Sequence, residues 1–162
     1  GTDVPAARGE FAVMPLVFTQ GGADGQAGGP DDTTAFAVCV DFDDANLDFD
    51  PTDGDGDGIP DAVTFDVGPQ HVVGAQVDLA RADCELLLTV VDFVMPLATL
   101  DSGLAAEIRF QVADGVPDEI PVRCGDPTVL SFSDTLGKSV PGSCQDGSFR
   151  IGSNTLTSAR SG

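Results

Sequence analysis

The sequence of 162 residues contains no tryptophan and no tyrosine. Sugar-binding platforms and protein-interface hot spots usually lean on those two side chains, which join apolar area to a polar handle. A carbohydrate-binding module is therefore a poor expectation, although 10 phenylalanines remain to build a core. Positive charge is almost as scarce. Seven Lys and Arg stand against 27 Asp and Glu, for a formal net charge of −20. Such a surface repels phosphate backbones and anionic headgroups, which excludes nucleic acid and membrane surfaces as partners. No apolar run approaches the roughly 18 residues of a spanning helix, so no membrane insertion is expected. Gly1-Thr2-Asp3 lacks the basic start and apolar stretch of an export leader, so an exported form is expected to be mature or excised.

Catalytic signals are equally thin. The single histidine, His71, follows Pro69-Gln70 and has no flanking acid. A lone loop histidine is ordinarily plain surface. Neither G-x-S-x-G nor a P-loop occurs. Acid pairs such as Asp43-Asp44 arise by chance in a chain this acidic. The only lysine, Lys138, is thin support for an isopeptide bond. No catalytic residue is assigned, and no enzyme is expected.

Four cysteines are present: Cys39, Cys84, Cys124 and Cys144. The spacings are wide, no C-x-x-C occurs, and one histidine cannot complete a Cys/His zinc cluster. Two disulfides in an oxidising compartment are the better reading, with four buried thiols as the alternative. Three connectivities exist. Cys39–Cys84 and Cys124–Cys144 are favoured, because each joins neighbouring predicted strands.

Apolar residues alternate with period two far more often than they recur at three and four. Over 35–43, Phe36, Val38, Val40 and Phe42 share one face. Over 104–113, Ala106, Ile108, Phe110 and Val112 face in, while Glu107, Arg109 and Gln111 face out. Residues 73–79 alternate in the same way. Residues 11–19 and 86–94 are apolar on both faces, which predicts central strands or a covered outer face. Shorter strands are expected at 63–67, 120–123, 128–132 and 148–151, with a helical turn near 97–100. Turns recur every 8–12 residues or so, as sandwiches require. The fold class is all-β, an antiparallel β-sandwich.

The strongest chemical signal is Asp53-Gly54-Asp55-Gly56-Asp57-Gly58-Ile59-Pro60-Asp61. Carboxylates stand at positions one, three, five and nine of a calcium loop, with glycine at six. Calcium takes about six to eight oxygens, more than neighbouring strand residues supply. Alternating Asp and Gly lets a tight loop aim every second carboxylate inward. Position twelve is Thr64, where a helix–loop–helix sensor has a bidentate glutamate. The segment resembles the loops of thrombospondin type 3 repeats and dockerins, with their D-x-D-x-D-G-x-x-D core. That resemblance implies Asp53, Asp55, Asp57 and Asp61 as side-chain ligands and Ile59 as a carbonyl ligand, with Asp50 or Asp66 completing the shell. The expected cofactor is calcium, held as a clasp between two strands.

A wider resemblance rests on four segments. Gly9-Glu10-Phe11-Ala12-Val13-Met14-Pro15-Leu16-Val17-Phe18 is one, and Thr34–Phe42 followed by Leu47-Asp48-Phe49-Asp50-Pro51 is another. Ser102–Val112 and Asp146–Ile151 complete the set. Together they resemble the strand patterns of cohesin domains, the modules that bind dockerins on bacterial scaffolds and cell surfaces. The resemblance implies a jelly-roll of about nine strands over 9–151. The calcium loop is an insertion at 50–66, flanked by an arm or linker at 1–8 and a tail or linker at 152–162. It implies a non-catalytic extracellular or cell-surface module that recognises a dockerin-like or surface protein. The alternative is a subunit of an extracellular filament, sheath or surface layer, in which copies join by strand addition and calcium.

Overall fold

The computed structural model describes residues 2–21 and 26–152. It contains twelve strands and, among the described residues, no helix. They are β1 (Asp3–Ala6), β2 (Phe11–Phe18), β3 (Ala35–Phe42), β4 (Leu47–Asp48), β5 (Val63–Phe65) and β6 (Val72–Val77), then β7 (Leu86–Val91), β8 (Gly103–Val112), β9 (Glu119–Cys124), β10 (Ser131–Ser133), β11 (Ser139–Val140) and β12 (Gly147–Ile151). Twelve replaces the nine expected, because several are stubs of two or three residues along the edges of longer strands.

Two sheets pack face to face. The larger runs β1-β12-β9-β3, with β7 and then β6 on the other edge of β3. The first edge of β3 is shared: β9 pairs with Val40–Phe42, and β10 with Ala35–Ala37. The smaller sheet is built on β8. One edge of β8 carries β2, and the other carries β4 and β5 in succession. The expected alternation holds on the longest strands. Ile108, Phe110 and Val112 on β8 are buried, while Glu107, Arg109 and Gln111 between them are exposed. Phe110 is wholly buried at the centre of the core, with ring centroids 4.8 Å from Phe42 and 6.0 Å from Phe49 and Phe149.

Both favoured disulfides are present, Cys39–Cys84 and Cys124–Cys144. Cys39 and Cys84 pin the end of β3 to the turn before β7. Gly125 lies against that bridge: a Cβ on it would sit 2.0 Å from the Asp83 carbonyl oxygen and 3.1 Å from Cys39 Cβ.

Four expectations need correction. Residues 3–6, placed in an arm, form β1, which pairs in parallel with β12. The strand expected at 128–132 shrinks to 131–133, because the Asp126 carboxylate binds the Thr128 N–H and hydroxyl and makes a turn there. No helical turn forms at 97–100, where the Asp92 carboxylate accepts from the Ala98 N–H instead. The two strands apolar on both faces also part company. β7 is central, as expected, between β3 and β6. β2 is an edge strand, and Phe11, Val13 and Val17 are exposed on its outer face. Pro15 fits such a place, since proline in a sheet belongs on an edge where no N–H is required. The tail from 153 onward lies outside the described residues.

Candidate functional site

The acidic loop leaves β8 and returns to it. Asp48 pairs with Gln111 before the loop, and Val63 pairs with Ile108 after it. Its ends are anchored by the buried Phe49 and Ala62, and half-buried Ile59 packs on the core. The Asp61 N–H also donates to the Thr52 carbonyl at 2.8 Å. A rigid frame therefore holds a segment that has little apolar content of its own.

Within the loop the carboxylates organise the backbone. Asp53 accepts from the N–H groups of Gly56 (2.8 Å), Asp57 (3.2 Å) and Gly58 (2.8 Å). Asp55 accepts from Asp57, Asp57 from Ile59, and Asp61 from Gly54. Gly56 and Gly58 have φ of 75° and 86°, the left-handed region that glycine enters without strain. One oxygen each from Asp53, Asp55 and Asp61 lies within 4.8 Å of the others. Oxygens bound to one calcium at about 2.4 Å lie no more than about 4.8 Å apart, so this spacing fits the ion. Asp57, Asp50 and Asp66 lie outside that group. Asp50 holds the Thr52 N–H, and Asp66 lines a separate cleft beside His71.

The loop's charges are unequal. The Gly58 N–H, above all, lowers the Asp53 pKa. At Asp55 the Asp57 N–H pulls downward. The hydrogen bond with Asp53, partial desolvation and the charges of Asp57 and Asp53 outweigh it, and the pKa is raised. One member of the pair thus holds a proton more readily than an isolated aspartate.

A second feature was not read from the sequence. In this acidic chain, one stretch of outer face carries no charge among the described residues; on β3 it ends at Asp41, which turns outward opposite Arg123 of β9. Alternation turns Ala37, Leu87, Thr89, Val91, Gly74 and Gln76 away from the core. They line up across strands as Ser131–Ala37–Thr89–Gly74 and as Cys39–Leu87–Gln76. Gly74 keeps the face flat, since a Cβ there would sit 2.7 Å from Thr89 Oγ1. Beyond Val91 a loop presents Phe93, Val94 and Met95, which are 77%, 62% and 69% exposed. That loop is built, not loose. The Asp92 carboxylate accepts from Val94 N–H (2.9 Å), Ala98 N–H (2.6 Å) and Gln70 Nε2 (2.6 Å). Gln70 Nε2 also reaches the carbonyls of Val94 and Pro96. The signal was present as apolar residues on both faces of β7, but its meaning depends on which strands lie beside it.

His71 is not the plain surface group expected. Its Nε2 lies 3.1 Å from the Thr34 carbonyl oxygen and 3.0 Å from that of Ala98, so it ties the residue before β3 to the 92–100 loop. Lys138 is exposed on a turn whose N–H groups are held by Asp134. Asp43 caps the turn at 43–46.

The arrangement of the strands has solved counterparts. The fold is cohesin-like. A type I cohesin–dockerin complex of OlpC from Clostridium thermocellum matches with a TM-score of 0.65 and 13% identity, over 93% of this chain and 89% of that one. The seventh ScaB type I cohesin from Pseudobacteroides cellulosolvens matches at 0.64 and 13%, over 96% and 92%. A non-cellulosomal cohesin from the archaeon Archaeoglobus fulgidus matches at 0.55 and 13%, over 96% and 89%. No family model and no curated protein matches the sequence. At such identity the likeness concerns the cohesin-like backbone and not its side chains.

Proposed function

We propose that the chain is a non-catalytic, extracellular protein-recognition module. It docks its partner on the outer face of β10, β3, β7 and β6. The observation that carries this reading is the uncharged, flat row Ser131–Ala37–Thr89–Gly74 on a molecule of net charge −20, continued by a braced apolar loop. A partner meeting this face desolvates few ionised groups, and that is how interface cores are ordinarily composed. Two solved cohesins of similar fold are in complex with dockerins, which makes a dockerin-like module the first partner to try. The two disulfides favour an oxidising setting.

Calcium closes the 49–62 loop in this reading, held by Asp53, Asp55 and Asp61, with Asp57 and the Ile59 carbonyl in support. The ion offsets the mutual repulsion of the carboxylates and fixes the two stubs on β8. Affinities on the order of 10⁻⁴ M suffice outside cells. Isothermal titration tests both halves. Calcium is expected to bind the wild type and not Asp53→Asn/Asp55→Asn. A dockerin panel is expected to yield binding that Thr89→Glu abolishes. Binding that survives Thr89→Glu would remove the assigned face.

A second reading, in which copies join into a fibre, is favoured by one observation: β2 is an edge strand of eight uncharged residues.

A further inference from the structure

β2 is exposed in three ways at once. Its outer side chains Phe11, Val13 and Val17 are 66%, 39% and 57% exposed. Its backbone edge away from β8 meets no ladder partner among the described residues. A groove of about 580 Å³ runs beside that edge from Met14 to Thr19. Natural sheets protect such an edge with charge, bulges or cover. Here Pro15, which offers no N–H, and one bulge between Leu16 and Val17 interrupt it.

The groove has the shape an added strand requires. Its floor is core: Val38, Val40, Val122 and Phe132 line it from the opposite sheet. Among the described residues no acid lines it, against 27 in the chain. The backbone polarity can be read from the ladder. The Val112 N–H donates to the Glu10 carbonyl, which sets the even-numbered residues of β2 facing β8. Phe11 and Val13 therefore direct their free N–H and C=O groups toward the open side, and Pro15 its C=O alone. A strand laid there would bond to those groups. It would place alternate side chains in the groove and the others beside Val13 and Val17.

The chain itself supplies a candidate strand. Ten residues follow Gly152, Ser-Asn-Thr-Leu-Thr-Ser-Ala-Arg-Ser-Gly. They contain no acid and no proline, and Arg160 is their one charge. Thr155-Leu156-Thr157 has the residue types that strands favour. Five or six extended residues, at about 3.3 Å each, match the length of the groove. Where the tail starts argues for a neighbour's groove. The Gly152 N–H bonds the Ala6 carbonyl, at one end of β1, and the groove reaches Thr2, at the other. The tail departs from the wrong end to run directly into its own groove.

We propose that residues 153–162 of one copy add as a strand to the free edge of β2 in a second copy. This rests on the fibre reading and names the joint. The contact is head-to-tail, so it extends from copy to copy unless its rotation closes a ring.

Two variants separate donor from acceptor. Deleting 153–162 leaves the groove intact and removes the donor. Leu16→Lys puts a charge at the groove wall and leaves the tail, with far-UV circular dichroism to confirm folding. Each alone is expected to lose the species heavier than monomer seen for the full chain in sedimentation velocity. Their mixture is expected to give 1:1 dimers and nothing longer. If Leu16→Lys fails to fold, Leu156→Asp in the tail serves as a second donor knock-out, and a peptide of residues 153–162 must bind the tail-deleted protein. A tail-deleted protein that still polymerises overturns the joint but leaves the fibre reading. A monomeric full chain whose β2 amides lose protection on tail deletion shows the tail filling its own groove, and overturns the exchange between copies. A monomeric full chain with no such change overturns both.

Discussion

Removing the two disulfides one at a time should cost unequal amounts, in an order fixed by their place in the chain. Cys39–Cys84 closes a separation of 45 residues and Cys124–Cys144 one of 20. The chain-entropy argument assigns about 4.0 kcal/mol to the longer loop and about 3.3 kcal/mol to the shorter. Packing pushes the same way. Cys39 and Cys84 are 1% and 3% exposed, whereas Cys144 is half-buried, so Cys39→Ala/Cys84→Ala also loses contacts in the interior. The two together, about 7 kcal/mol, are comparable with the whole stability of an ordinary domain, roughly 5–15 kcal/mol. The assay is urea unfolding of wild type, each double-alanine variant and the fully reduced protein. Free energies extrapolated to water should be compared, because an uncrosslinked unfolded chain exposes more surface and steepens the transition. Cys39→Ala/Cys84→Ala is expected to be the weaker variant, and the reduced protein to be marginal. A larger loss for Cys124→Ala/Cys144→Ala would refute the reasoning. A reduced protein as stable as the oxidised one would remove the argument for an oxidising compartment.

Other consequences concern the carboxylates and the core. Asp55 has a raised pKa, so without calcium the folded loop holds a proton more tightly than the unfolded chain, and this group makes stability fall as pH rises above the ordinary aspartate range. Calcium competes with that proton, so its affinity should rise over the same window; calorimetry at several pH values checks both slopes. Burial, first of all, raises the Glu85 pKa, against the Phe42 N–H that it accepts. Its stabilising effect is thus complete below about pH 4.5 and lost as pH climbs through the raised value. Glu85→Gln should flatten that slope and be no less stable than wild type near neutrality in thermal melts. Gly125→Ala forces a Cβ toward the Asp83 carbonyl oxygen and should lower the melting temperature by several degrees, the size expected for about 1–3 kcal/mol of strain. Asp92→Ala should release the Val94 and Ala98 amides to hydrogen exchange while the β3 and β7 amides stay protected.

Sequence by itself determined the fold class, most strand positions and the gathering of three carboxylates in the acidic loop. Period-two alternation at 35–42 and 103–112 is a local property, because successive side chains of a strand must point to opposite faces wherever the strand lies. Asp53, Asp55 and Asp61 were legible for a similar reason: their spacing alone brings carboxylates together once glycines let the loop turn. Strand β1 was missed because four residues without clear alternation gain their place only by pairing with β12, almost 150 residues away. The difference between β2 and β7 was equally hidden. Both read as apolar on two faces, and only the pairing of β7 with β3 and β6, against the single partner of β2 among the described residues, made one central and the other an open edge. His71 became a tie between two carbonyls because the fold brought Thr34 and Ala98 to it. The uncharged outer face belongs to the same class of fact. The face exists because four strands align their neutral residues in one row. Local sterics write the pattern along each strand, while neighbours, edges and open faces arise from long-range pairing, which depends on the whole chain at once.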